Sequence, residues 1–210
     1  MHCDHVLLEV RSLVRLHVNV SFELHRGECI TLQGASGSGK TLILRAIADL
    51  DPSDGTVTLD GANRESTPAP VWRRQVTFVA AEPGWWADTV RHHFAAWDEA
   101  LPLVRELGLP SSSAEWNVQR LSTGERQRLG LVRALALGSR VLLLDEPTSG
   151  LDADATAAVE AMIAKRVKAG TGVVWVTHDA DQARRVSSRR FIVKDGRMTE
   201  ERHDVHPPRL

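Results

Sequence analysis

The sequence predicts an α/β fold with three parts: a mostly parallel sheet core, an antiparallel β subdomain and a small inserted α-helical subdomain. Three observations predict it. Apolar strand-like runs alternate with stretches of helical period along the chain. Val141-Leu142-Leu143-Leu144 has no polar face, as expected of a parallel strand covered on both sides. Residues 18–24 instead alternate apolar and polar side chains, which suits a half-solvated antiparallel strand.

In chain order, residues 6–10 and 18–24 read as two strands, and His25-Arg26-Gly27-Glu28 turns toward a short buried strand that ends at Gln33. Residues 42–48 read as a helix, ended by Asp51-Pro52-Ser53-Asp54-Gly55, which leads into a strand over residues 56–59. Asp60-Gly61 is a hairpin signal. Residues 64–70 read as a polar, proline-bearing loop and residues 76–79 as a buried strand. From Glu82 to about Leu121 the period turns helical, with Pro102 and Pro110 as breaks, so residues 82–125 form the expected insertion. A helix over 123–138, the apolar strand, a helix over 152–169 and a strand over 172–177 follow. A helix through Ala183 and Val186 leads to a last strand at 190–194, and Asp195-Gly196-Arg197 turns the chain. Residues 203–210, with Pro207-Pro208, read as a loose tail on a single domain over 1–210.

At 210 residues the chain is long enough for one large domain with a small insertion. A net charge of −1 gives no electrostatic case for nucleic acid or anionic lipid. No apolar run approaches the ~20 residues that span a bilayer. The start Met1-His2-Cys3-Asp4-His5 lacks the basic and apolar regions of a signal peptide, so a cytoplasmic protein is expected. Cys3 and Cys29 are too far apart for a metal-type C-x-x-C, and Cys29 reads as a small core hydrophobe. His2, Cys3 and His5 are a candidate metal group, but a frayed terminus is the better reading.

Gly34-Ala35-Ser36-Gly37-Ser38-Gly39-Lys40-Thr41 fits G-x-x-x-x-G-K-[ST], between a strand and a helix as a phosphate-binding loop requires. Its glycines let the backbone curl so that several N–H groups face one anion, and the helix start adds unpaired N–H groups. Lys40 would reach the β- and γ-phosphates, and the Thr41 hydroxyl would hold Mg²⁺. In this setting the motif resembles the core of a P-loop NTPase. Asp145 and Glu146 end the apolar strand, where such a protein keeps a Mg²⁺-binding aspartate; Glu146 would polarise the attacking water. Leu121-Ser122-Thr123-Gly124-Glu125 opens a helix and is either a second anion site or a plain helix cap.

Taken in order, Gly34 to Thr41, Leu121 to Glu125, Leu144 to Asp152 and His178 resemble the ATP-binding subunit of an ABC transporter over nearly the whole chain. The resemblance implies ATP and Mg²⁺ as cofactors and a homodimer or heterodimer that sandwiches two ATP molecules. Ser122 and Gly124 would then contact the γ-phosphate held by the partner, Asp152 would communicate across the dimer, and His178 would contact the γ-phosphate and the attacking water. It also implies a separate integral membrane permease, with this chain at the inner face of the cell membrane.

Four positions depart from the family pattern. Ala81 stands where a glutamine usually touches Mg²⁺ and senses the permease, and the adjacent Glu82 is a candidate metal ligand in its place. Thr123 and Glu125 replace a glycine and a glutamine. Val14 or Arg15 stands where an aromatic usually stacks on adenine. Trp85 and Trp86 are the expected permease contact, since tandem tryptophans in a loop make good interface anchors. The short insertion and Val174-Trp175-Val176-Thr177-His178-Asp179 are similar to compact subunits of metal or iron export. Two other readings stand beside transport. A soluble ABC-type ATPase in translation or repair is opposed by the single cassette and the absence of heptads or a basic patch. A weakly hydrolysing regulator is opposed by the presence of Lys40, Asp145, Glu146 and His178.

Overall fold

The computed structural model describes residues 5–201. His2, Cys3 and the tail at 203–210 lie outside them. Strands β1 (Val6–Arg15) and β2 (Val18–His25) form a hairpin and precede β3 (Cys29–Gln33) and α1 (Lys40–Ile47). Then come β4 (Asp54–Leu59), β5 (Ala62–Asn63), α2 (Ala69–Gln75), β6 (Val76–Val79), α3 (Trp97–Glu106) and α4 (Thr123–Leu135). The chain finishes with β7 (Val141–Asp145), α5 (Ala153–Lys168), β8 (Gly172–Val176), α6 (Ala180–Val186), β9 (Arg189–Lys194) and β10 (Arg197–Glu200).

These strands make an antiparallel sheet in the order β2-β1-β4-β5 and a second sheet in the order β10-β9-β3-β8-β7-β6, parallel from β9 to β6. The alternation of side chains across a strand explains why the apolar runs have no polar face. Val141 and Leu143, with Val174 and Val176, face a core shared with α1 and the antiparallel sheet. Leu142 and Leu144, with Val173 and Trp175, face a second core shared with α4 and α5. The carboxyl ends of β3, β7 and β8 therefore lie side by side, where ligands bind in open α/β sheets.

Five local expectations need correction. β1 runs on past residue 10 to Arg15, carrying a register shift between Val10 and Leu13. Residues 64–70 are not all loop: Arg64–Ser66 is a 3-10 turn and α2 starts at Ala69. Three side chains of that segment hold the open end of α1. Arg64 Nη1 donates to the Ala46 carbonyl at 2.6 Å, Trp72 Nε1 to Ile47 at 2.9 Å, and Arg73 Nε to Asp49 at 3.1 Å. Carbonyls at a helix end lack the regular partners of the interior, so they attract donors and cations; Ala46 accepts from Asp49 N–H at 3.1 Å as well. In the insertion, regular α-helix before α4 is confined to α3, and the rest is irregular chain with short 3-10 turns. Pro102 lies inside α3 rather than ending it, with Trp97, Ala100 and Val104 buried around it. Finally, Asp195 and Gly196 turn the chain into a further strand, β10; both have positive φ, as a tight hairpin requires.

Candidate active site

The loop after β3 keeps its curl through glycines that admit no side chain. Gly34 has φ 148° and a Cβ there would lie 2.2 Å from the Val193 carbonyl oxygen; Gly39 has φ 104° and would meet Val18 Cγ2 at 2.4 Å. Gly39 precedes α1 without a capping side chain, so the first amides of α1 stay directed at the loop. Lys40 is buried, and its Nζ donates to the Gly34 and Ala35 carbonyls at 2.8 and 2.9 Å. The ammonium is thereby held at the mouth of the loop.

Thr41 Oγ1 donates to Asp145 Oδ2 at 2.7 Å, which joins the loop to the end of β7. Burial pushes the Asp145 carboxyl above its ordinary value; the Thr41 hydrogen bond opposes this, the charge of Glu146 adds to it and Lys40 opposes it. Two hard oxygen donors side by side beside a phosphate cradle fit Mg²⁺, which takes one or two protein ligands together with phosphates and waters. Thr41 and Asp145 are the residues that would hold it.

Glu146 follows at φ 47°, a conformation that costs a non-glycine residue about 1–3 kcal/mol. Its backbone is fixed on several sides: its N–H donates to Val176, and its carbonyl accepts from Ser149 N–H and from Gln127 Nε2 at 2.7 Å. Its Oε2 lies 3.3 Å from His178 Nδ1, a pair formed between the ends of β7 and β8. Gly34, Ser36, Gly37, Gly39, Lys40, Thr41, Asp145, Glu146 and His178 all line one cavity of about 360 Å³. Ala35 and Ser38 line an adjoining cavity of about 460 Å³ on the other side of the loop.

The remaining predicted residues stand elsewhere. Ser122 caps α4 in a reciprocal box with Glu125, whose Oε2 accepts from Ser122 N–H at 2.8 Å. Thr123 is already helical, so the amides of this turn keep their direction. Gly124 packs beside Leu151, and a Cβ there would lie 3.2 Å from Leu151 Cδ2. Asp152 caps α5 through Ala155 N–H at 2.8 Å. Ser122, Gly124 and Asp152 thus lie outside the cavity of their own chain's phosphate loop. Glu82 is exposed and also lies outside that lining. Two residues were not singled out by sequence reasoning. His17, at the turn between β1 and β2, lines the adjoining cavity, whereas Val14 and Arg15 belong to β1. Gln127 reaches Glu146 from α4, and nothing in a local motif marks that contact.

Among the described residues, no helix is long and apolar enough to cross a membrane. Residues 17–149 match the family model described as ABC transporter. The chain is 36% identical over 176 residues to the probable iron export ATP-binding protein FetA of Escherichia coli, covering 78% of each. It is 31% identical to the nickel import ATP-binding protein NikE of Pseudomonas putida, covering 98% of this chain and 86% of that protein. A solved ATP-binding subunit of an ABC transporter superposes with a TM-score of 0.84 at 26% identity, covering 94% of this chain and 90% of the other. A dimeric ATP-binding cassette bound to ADP and phosphate shares the fold, with a TM-score of 0.83 at 24% identity over 93% of this chain and 98% of that one. With its phosphate loop, its paired carboxylates and most of its length inside these matches, the chain belongs to the ABC transporter family as an ATP-binding subunit.

Proposed function

We propose that this ATPase subunit dimerises around two ATP molecules and drives transport through a separate membrane permease. The observation that carries the reading is the convergence of Lys40, Thr41, Asp145, Glu146 and His178 on one cavity at the ends of three strands. The loop amides and Lys40 bind and orient the phosphates. Glu146 accepts a hydrogen bond from water and turns it toward the γ-phosphate, while His178 beside it steadies the carboxylate and the water. Mg²⁺, when bound at Thr41 and Asp145, supplies charge neutralisation at the phosphates. The α4 turn at Ser122 and Gly124 is exposed or half-exposed and lies outside its own chain's cavity, which supports its use on a partner's nucleotide. Asp152, at the start of α5, follows Leu151, which packs beside Gly124.

The permease contact falls at Trp85 and Trp86. Trp86 is 70% exposed, and an indole left in solvent is a good anchor for a partner surface. The chain then works at the cytoplasmic face of the membrane. Cargo is recognised by the permease, and iron export is the cargo we favour, from the compact insertion and the FetA likeness. Glu146→Gln tests the core of the reading. It keeps the shape and removes the base, so ATP binding persists and turnover falls about 10²–10⁴-fold. The variant then accumulates as an ATP-bound dimer in size-exclusion chromatography. Hydrolysis at the wild-type rate would remove Glu146 from the role of base.

A further inference from the structure

One face of α4 touches both the backbone of Glu146 and the tryptophan loop. Gln127, Gly130 and Arg133 recur every three residues, so they share that face. Gln127 is 3% exposed, and its Nε2 donates to the Glu146 carbonyl at 2.7 Å, at a residue whose backbone sits at φ 47°. At Gly130 the ring of Pro83 lies flush on the helix backbone, since a Cβ would come within 2.5 Å of Pro83 Cγ. Arg133 Nη1 donates to the Gly84 carbonyl at 3.0 Å, and its guanidinium lies 5.0 and 4.8 Å from the ring centroids of Trp85 and Trp86. On the far side of the loop, His93 Nε2 accepts from the N–H groups of Trp86 and Ala87 at 2.9 and 3.0 Å. The loop is therefore clasped between His93 and α4. Ala81, at the start of the same segment, has no polar side chain with which to reach the cavity.

We propose that α4 links the Trp85–Trp86 loop to the hydrolytic carboxylate, with Gln127 as a positioning residue that holds Glu146 and Arg133 as the residue that senses the loop. The inference rests on the reading of Glu146 as the base. A helix is stiff along its axis, so pressure on Trp85 or Trp86 moves Arg133 and Pro83 against it. A shift of α4 then moves the amide that pins Glu146. The reach from Arg133 to Gln127 is about 9 Å of helix rise.

The test is a double-mutant cycle on ATP turnover by the full chain, with Gln127→Met, Arg133→Met and the pair. Gln127→Met keeps the length and removes the donor; kcat is expected to fall about tenfold, the measure of one lost positioning interaction, with KM for ATP within about twofold. Arg133→Met is expected to lower kcat by about threefold, and the pair to depart from the product of the two by at least about threefold. Sites this far apart without a link ordinarily combine independently. A purely structural role for Gln127 would lower the melting temperature and leave the split between kcat and KM untouched. If Gln127→Met does not fold, Gln127→Asn withdraws the donor by one methylene and must show the same loss of kcat. Independent effects in the cycle, or an unchanged kcat in the Gln127 variant while Glu146→Gln is inactive, would overturn the inference and leave the base standing. A wild-type rate in Glu146→Gln would instead overturn the base itself.

Discussion

Asp145 combines two demands that pull against each other. In the Mg²⁺-binding role we propose for it, it must be ionised, yet it is 7% exposed and burial raises its pKa above the ordinary 3.8. The folded chain therefore binds this proton more tightly than the unfolded chain does. Stability contributed by the protonated form falls as pH rises from the ordinary value through the raised one, and is level above it. Protons likewise displace metal at a higher pH than at an exposed aspartate. Measured as ATPase rate against free Mg²⁺, half-saturation shifts to higher Mg²⁺ as the pH is lowered toward that window. Asp145→Asn removes the buried charge: the metal-free variant melts at a higher temperature than wild type at pH 7, and its turnover falls about 10²-fold or more with the metal-binding charge gone. In the same titration Glu82→Ala reports on the second acid. A curve displaced from wild type supports Glu82 as the candidate ligand standing in for the glutamine missing at Ala81, although it is exposed and outside the cavity lining, and a superimposable curve removes it.

The end of α1 depends on the segment that follows β5. Arg64 is 3% exposed and bonds the Ala46 carbonyl and Ser53 Oγ, while Trp72 covers Ile47. α1 carries Lys40 and Thr41 at its other end, so this anchoring fixes the helix that presents the phosphate loop. Replacing Arg64 by Met removes a charged donor from the Ala46 carbonyl and from Ser53 Oγ, the carbonyl keeping the Asp49 N–H. A loss of about 2–3 kcal/mol is expected in urea unfolding, with the slope unchanged. KM for ATP stays near wild type at temperatures where the variant is folded, because the site itself is untouched. The hairpin at Asp60 adds a second tie at this scale. Its carboxylate meets His5, Arg26 and Arg140, which fastens the antiparallel sheet to the strand that carries Asp145 and Glu146.

As a whole molecule, the chain holds half of each proposed site. The phosphate loop and carboxylates share a cavity, while the α4 turn and the cap of α5 lie outside it. Mixing a Lys40→Ala chain with a Gly124→Asp chain separates the two halves. In the mixed dimer one site carries both defects and the other neither. Recovery toward half of the wild-type ATPase rate is expected, against residual rates in either homodimer. Rates in the mixture no higher than in the homodimers would count against sites shared across the interface.

The phosphate loop, the acidic strand end and the order of the motifs were legible in the sequence because each is local. A glycine with positive φ, a lysine beside a curled loop and an apolar strand ending in Asp145-Glu146 are written in neighbouring residues. The pairing of Thr41 with Asp145 followed from the motif types, since one strand order brings them together. The bulge in β1, the anchoring of α1 by Arg64 and Trp72, the strand β10 and the clasp of α4 on Glu146 and the tryptophan loop were not legible. The anchoring of α1 and the clasp depend on partners distant in sequence, whereas the bulge lies within the β1–β2 hairpin and β10 pairs with the adjacent β9. Arg64 looks like an ordinary surface arginine until the end of α1 is beside it, and Gln127 like any helix residue until β7 ends below it. Propensity and period describe what a segment prefers alone. Which buried polar group meets which open backbone group is decided only when packing brings both out of water, where an unpaired one is costly.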